Sequence, residues 1–108
     1  PPRITRRLIA DVQAAGGILV NLASREIQQS LDWAHLNREV RVVTPEFKVS
    51  KGDTLKTIVV YAKMMRGAMT RFILKNRLTT PQELEAFSAE GFHFSPRHST
   101  PDNPLFIV

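Results

Sequence analysis

Apolar residues at the start of the chain recur at helical spacing. Ile4, Leu8, Val12 and Ala15 fall on one stripe, with Arg6, Arg7 and Gln13 elsewhere, which predicts an amphipathic helix over residues 3–15. Gly16-Gly17 follows and supplies the usual helix stop. The pattern then switches to a nearly continuous apolar run, Ile18-Leu19-Val20-Asn21-Leu22. Such a run directly after a helix and a tight glycine turn predicts a buried strand of a mixed or parallel sheet. Ser24 is placed to cap a second helix running through Leu31, with Glu26 in its first turn, where the helix dipole favours a carboxylate.

Residues 39–49 have β character through Val40, Val42, Val43 and Phe47, and Pro45 predicts an edge position or a bulge because it cannot donate to a ladder. Lys51-Gly52-Asp53 is a turn signal, and residues 55–60 return as a strand, so the pair reads as a β-hairpin. The longest helix is expected over residues 62–76. At 100° per residue, Ala62, Met65, Ala68, Met69, Phe72 and Ile73 share one broad face, opposite Lys63, Arg66, Thr70 and Arg71 with Gly67 between them. Thr80-Pro81-Gln82-Glu83 is a capping-box start for a short helix ending near Ser88. Residues 92–94 and 105–108 are short strands joined by a proline-rich stretch. The expected fold is α/β of the mixed α+β kind: helices packed on a small mixed sheet that includes a hairpin.

At 108 residues the chain is one domain or a fragment of a larger one, and its opening Pro1-Pro2 without an initiator Met favours a fragment or processed product. A 43% hydrophobic and 23% charged composition excludes disorder as the main state. No apolar run is long enough to span a bilayer and no signal peptide is visible, so no membrane partner is expected. The absence of cysteine excludes disulfides, thiolate ligands and cysteine nucleophiles, and agrees with a cytoplasmic location.

Charge changes the picture once it is divided along the chain. Residues 1–37 carry a net +1 and residues 78–108 a net −3, whereas residues 38–77 set ten basic side chains against three acidic ones, a net +7. A basic central third points to a polyanionic partner or a basic pocket. Lys63, Arg66 and Arg71 on one helical face, with the small Gly67 among them, suit contact with phosphates, and Lys48, Lys51 and Lys56 on the hairpin extend that surface. Tyr61 and Phe72 read as core rather than as stacking platforms, so the expected partner is nucleic acid, double-stranded DNA bound without base specificity.

An alternative is an enzyme acting on a small anionic substrate, built from Asn21, Ser24 and Glu26 together with Tyr61, Lys63 and Arg66. A serine placed like Ser24 is more often a helix cap than a nucleophile, and no histidine is placed in sequence to activate it. His93 and His98 lie five residues apart and His35 is distant, without a carboxylate at ligand spacing, so no metal and no cofactor is expected.

The order of motifs resembles one known family. Asn21-Leu22-Ala23-Ser24-Arg25-Glu26 resembles the N-L-A-S-x-E-Y stretch of the YaaA family, and Thr44-Pro45-Glu46-Phe47-Lys48 its P-x-F-K segment. Tyr61-Ala62-Lys63-Met64-Met65-Arg66-Gly67-Ala68-Met69-Thr70-Arg71 is similar to Y-A-K-K-A-R-G-x-M-x-R. Asn76-Arg77-Leu78-Thr79, then Pro81, Leu84, Phe87, Gly91 and Phe92, matches the closing N-R-L-T…P…L…F…G-Y pattern. The departures are Met64 in place of a lysine and Ile27 in place of a tyrosine. The resemblance covers nearly the whole chain but only the C-terminal two-fifths or so of a family member, so the missing N-terminal part of the same protein is itself an expected partner. It implies a cytoplasmic bacterial protein of the peroxide-stress response, a mixed α/β fold with a positively charged cleft, DNA binding, and a role in limiting iron-dependent oxidative damage.

Overall fold

The computed structural model describes residues 2–23 and 28–108. It opens with helix α1, Pro2–Ala14. The helix is where periodicity places it, but its buried stripe is Thr5, Ile9 and Val12, while Ile4 is 52% exposed. Thr5 accounts for the shift: its hydroxyl accepts the Asp32 backbone N–H at 3.0 Å, so this polar side chain is satisfied inside and turns the helix by about one position. Gly16 and Gly17 take φ of 117° and 85°, and the Gly17 N–H closes the helix onto the Val12 carbonyl.

Strand β1, Ile18–Val20, pairs in parallel with β2, Arg41–Val43. The crossover contains a helix the sequence reading left unassigned, α2, Trp33–Glu39, whose N-cap Asp32 accepts the His35 backbone N–H at 3.1 Å. Ile9, Val12, Leu36 and Val40 form the core between these elements. The expected helix from Ser24 to Leu31 lies partly outside the described residues.

Pro45 does more than mark an edge or a bulge: it divides the β-rich stretch into strands of two different sheets. After it comes β3, Glu46–Lys51, and then β4, Thr54–Lys56, an antiparallel hairpin turning at Gly52 with φ 60°. The second arm is shorter than expected. Ile58 is already the N-cap of α3, Val59–Asn76, and Val59 and Val60 stand 69% and 58% exposed on its first turn. Packing of Met65 and Met69 against the sheet, with Ala62 buried one turn earlier, sets the helix phase and overrides the β preference of the branched residues before them.

The chain leaves α3 at Arg77, in the left-handed conformation, and makes a 3₁₀ turn at Pro81–Ala86. That turn stops short of Ser88 because Ser88–Ala89 is a strand, β5, paired with β6, Phe92–Phe94. A second 3₁₀ turn, Pro96–His98, precedes β7, Leu105–Ile107. β7 runs antiparallel to β6 and parallel to β3, giving the order β4-β3-β7-β6-β5. Phe47 and Phe106 stack at 5.4 Å, and Phe87 packs edge-on against both. Val43 of the small sheet is buried in this same cluster, which joins the two sheets at the point where β2 gives way to β3. No helix among the described residues is long and apolar enough to cross a membrane.

Candidate functional site

Two parallel strands end side by side at Val20 and Val43, so the residues that follow them, Asn21 and Thr44, meet at the carboxyl edge of the small sheet. Open parallel sheets present ligand-binding crevices at this edge. Asn21 is 7% exposed. Its backbone N–H donates to the Val43 carbonyl at 2.7 Å, its amide donates to the Thr44 hydroxyl at 3.3 Å, and its side-chain oxygen accepts the Ala23 N–H. The Thr44 carbonyl accepts the Asn103 amide at 2.7 Å, which fixes the floor from a third segment.

Above this floor lies a cleft of about 130 Å³ lined by Asn21, Gln28, Thr44, Glu46, Thr57 and Arg66, with Pro45, Phe47 and Ala62 as its apolar wall. A more open hollow of about 320 Å³ adjoins it, sharing Asn21, Gln28 and Thr44 and adding Trp33, Asn37 and Val42. Arg66 comes from the flank of α3 and is half-buried. Among the described residues its guanidinium has no hydrogen bond and no ion pair, and Arg41–Asp102 at 2.8 Å is the one salt bridge formed. Glu46 contributes the cleft's opposing charge from an exposed position.

The other cations divide. Lys63 and Arg71 are exposed on α3, four residues either side of Gly67, and they form a ridge along the outside of the helix. A Cβ on Gly67 would lie 3.4 Å from an Arg71 guanidinium nitrogen, so Arg71 folds back over the bare backbone there. Lys51 and Lys56 are exposed on the hairpin. Lys56 is paired with Val49, and strand alternation puts both lysines on the face that carries Phe47 and α3. Lys48 is half-buried and alternates to the opposite face. Arg66, Lys63 and Arg71 therefore belong to one helix, Lys51 and Lys56 to its side of the hairpin, and Lys48 to neither surface.

Of the residues of the enzymatic alternative, Asn21 and Arg66 line the same cleft, and Ser24 and Glu26 lie outside the described residues. Lys63 is exposed on α3 together with Tyr61, which sequence reasoning places in the core but which stands exposed on the first turn of the helix. His93 is exposed with its Nδ1 against the Gly91 carbonyl, and His98 Nδ1 is 2.8 Å from the Ser95 hydroxyl. No group of three possible metal ligands occurs among the described residues. Sequence reasoning did not single out Thr44, Gln28 or Thr57. The signal for Thr44 was its place directly after a β run and before Pro45, where a strand must stop with its side chain at a sheet edge.

These elements define an α+β fold of two joined sheets, with a polar cleft at the parallel strand ends and a guanidinium that is unpaired among the described residues. The chain belongs to the peroxide stress protein YaaA family, whose sequence model matches residues 1–98. It is 55% identical over 105 residues to a UPF0246 protein of Bacteroides thetaiotaomicron, covering 97% of this chain and 41% of that one. It is 50% identical over 107 residues to a UPF0246 protein of Phocaeicola vulgatus, covering 99% and 42%. A more distant relative, UPF0246 protein CPE2152 of Clostridium perfringens, is 40% identical over 89 residues, covering 82% and 34%. The chain thus spans about two-fifths of the length of the first two of these curated relatives.

Proposed function

We propose that this peroxide-stress family chain binds the phosphate backbone of double-stranded DNA, without base specificity, and so helps limit iron-dependent oxidative damage to DNA in the bacterial cytoplasm. The observation that carries the reading is the Lys63–Gly67–Arg71 ridge, two exposed cations flanking a bare stretch of helix with no carboxylate partner among the described residues. Arg66 stands one turn from Lys63, and Lys51 and Lys56 add charge on the neighbouring hairpin. Cations so spaced displace counterions from a polyanion, and few aromatic faces are offered for reading bases. Binding measured across a salt series should give a log–log slope of about −3 to −5, corresponding to roughly four or five phosphates. Lys63→Glu with Arg71→Glu should weaken binding and flatten the slope by about two. Unchanged affinity of that variant, or no binding at low salt by the folded chain, sinks the proposal.

A second reading, catalysis on a small anionic substrate, is favoured by Asn21 and Arg66 lining the same cleft. It requires saturable turnover that Glu26→Gln removes while DNA affinity stays unchanged.

A further inference from the structure

We propose that the cleft at the carboxyl ends of β1 and β2 is a receptor for a single phosphomonoester group, with Arg66 as its cation. The proposal deepens the nucleic-acid reading and rests on Arg66 facing an anion. The cleft, about 130 Å³, has room for one tetrahedral oxyanion beside Arg66. Arg66 is half-buried there with its donors unused among the described residues. A partly desolvated guanidinium of this kind gains most from a doubly charged oxygen ligand that it can grip with two N–H groups.

The neutral donors agree. The Thr44 oxygen already accepts from Asn21, so its own O–H proton must be given elsewhere, and no protein acceptor for it occurs among the described residues. Thr57 lines the same cleft immediately before the N-cap of α3, which has no side-chain cap, so the positive end of an 18-residue helix adds to the field. A monoester carries a charge of about −1.5 to −2 near neutral pH. It also needs only one covalent way out, and the adjoining hollow of Asn21, Gln28, Thr44, Trp33 and Asn37 offers one. An internal phosphodiester carries a single charge and needs two exits. Glu46 opposes any anion in the cleft and limits affinity.

Such a group is either the terminal phosphate of a nucleic-acid strand or part of a free phosphorylated small molecule. The test compares inorganic phosphate, a nucleoside 5′-monophosphate, and one single-stranded oligonucleotide with and without a 5′-phosphate, titrated against the folded chain at fixed salt. The phosphorylated strand should bind about tenfold more tightly than its 5′-hydroxyl counterpart, as expected for charge-assisted hydrogen bonds. Arg66→Ala should erase that preference and Arg66→Lys should lose most of it. The Lys63→Glu, Arg71→Glu pair should weaken both strands yet keep the preference, and Glu46→Gln should enlarge it. Circular dichroism confirms that each variant is folded. Equal affinity for the two strands, unchanged by Arg66→Ala, overturns the receptor and leaves backbone binding standing. Binding of phosphate and the monophosphate, lost in Arg66→Ala, with neither strand bound, upholds the receptor and names a free small molecule as its source, while the backbone reading stands or falls on the double-stranded DNA salt series.

Discussion

The Asn21 amide donates to the Thr44 hydroxyl at 3.3 Å, tying together two strand ends that lie 23 residues apart in the chain. Backbone bonds hold both partners, so the floor of the cleft is set by the fold before any ligand arrives, while its cation comes from a different element, α3. Rigid floor and separate charge carrier have different sensitivities to mutation.

Asn21→Ala removes the bond to Thr44 and the one from the Ala23 N–H, leaving polar groups in a nearly closed place. A loss of about 1–2 kcal/mol is expected, read as a lower urea midpoint at unchanged m-value. Phosphate affinity should fall with it. Arg66→Ala, by contrast, should cut affinity and leave the midpoint close to that of the parent.

Phe106 is fully buried, stacked on Phe47 and contacted edge-on by Phe87. Phe106→Ala should cost about 3–5 kcal/mol, a large share of the ~5–15 kcal/mol that holds a small domain together. Denaturant melts should show a chain partly unfolded in buffer. Phe106→Leu should retain a cooperative transition at lower denaturant.

One Glu83 carboxylate oxygen accepts the backbone N–H groups of Thr79 and Thr80 at 3.0 and 2.9 Å, and both threonine hydroxyls as well. The Thr79 N–H, then the Thr80 N–H, hold this carboxyl below its usual value of 4.5. Its folded value being the lower one, the stabilisation is complete above 4.5 and disappears as pH falls through the folded value. Thermal melts from pH 7 to pH 3 should show the parent losing stability in that window. Glu83→Gln should be less stable than the parent at pH 7, and the gap should narrow as pH falls below 4.5.

Gly67 sits inside α3 with ordinary helical φ, and an added methyl would meet only the movable end of Arg71. Gly67→Ala should therefore stabilise the helix by about 0.5–1 kcal/mol, visible as a Tm a few degrees higher. A lower Tm would show that the bare backbone is packed against something else.

Local chemistry was readable in the sequence and long-range pairing was not. Periodicity found α1 and the buried face of α3, Gly52 found the hairpin, and Thr80 with Glu83 found the 3₁₀ turn, because each signal lies within a few residues. The parallel pairing of Lys48 with Ile107 joins residues 59 apart and left no local mark. Thr5 escaped notice as a core residue because its fitness for burial depends on Asp32, a partner in another element. Asn21 and Arg66 were both named from motifs, yet nothing in their spacing said that they share a cleft, and Pro45 gave only the edge, not the change of sheet.

The strand order has a consequence for how the chain is made. β7 is the middle member of the five-stranded sheet, yet it is synthesised after all the strands it joins. Until residues 105–107 leave the ribosome, the hairpin and the β5–β6 pair have nothing between them, and Phe47, Phe87 and Phe94 lack the Phe106 ring that packs against all three. Between the synthesis of Phe94 and that of Phe106 these rings lack their central partner, and exposed apolar surface of that kind invites aggregation.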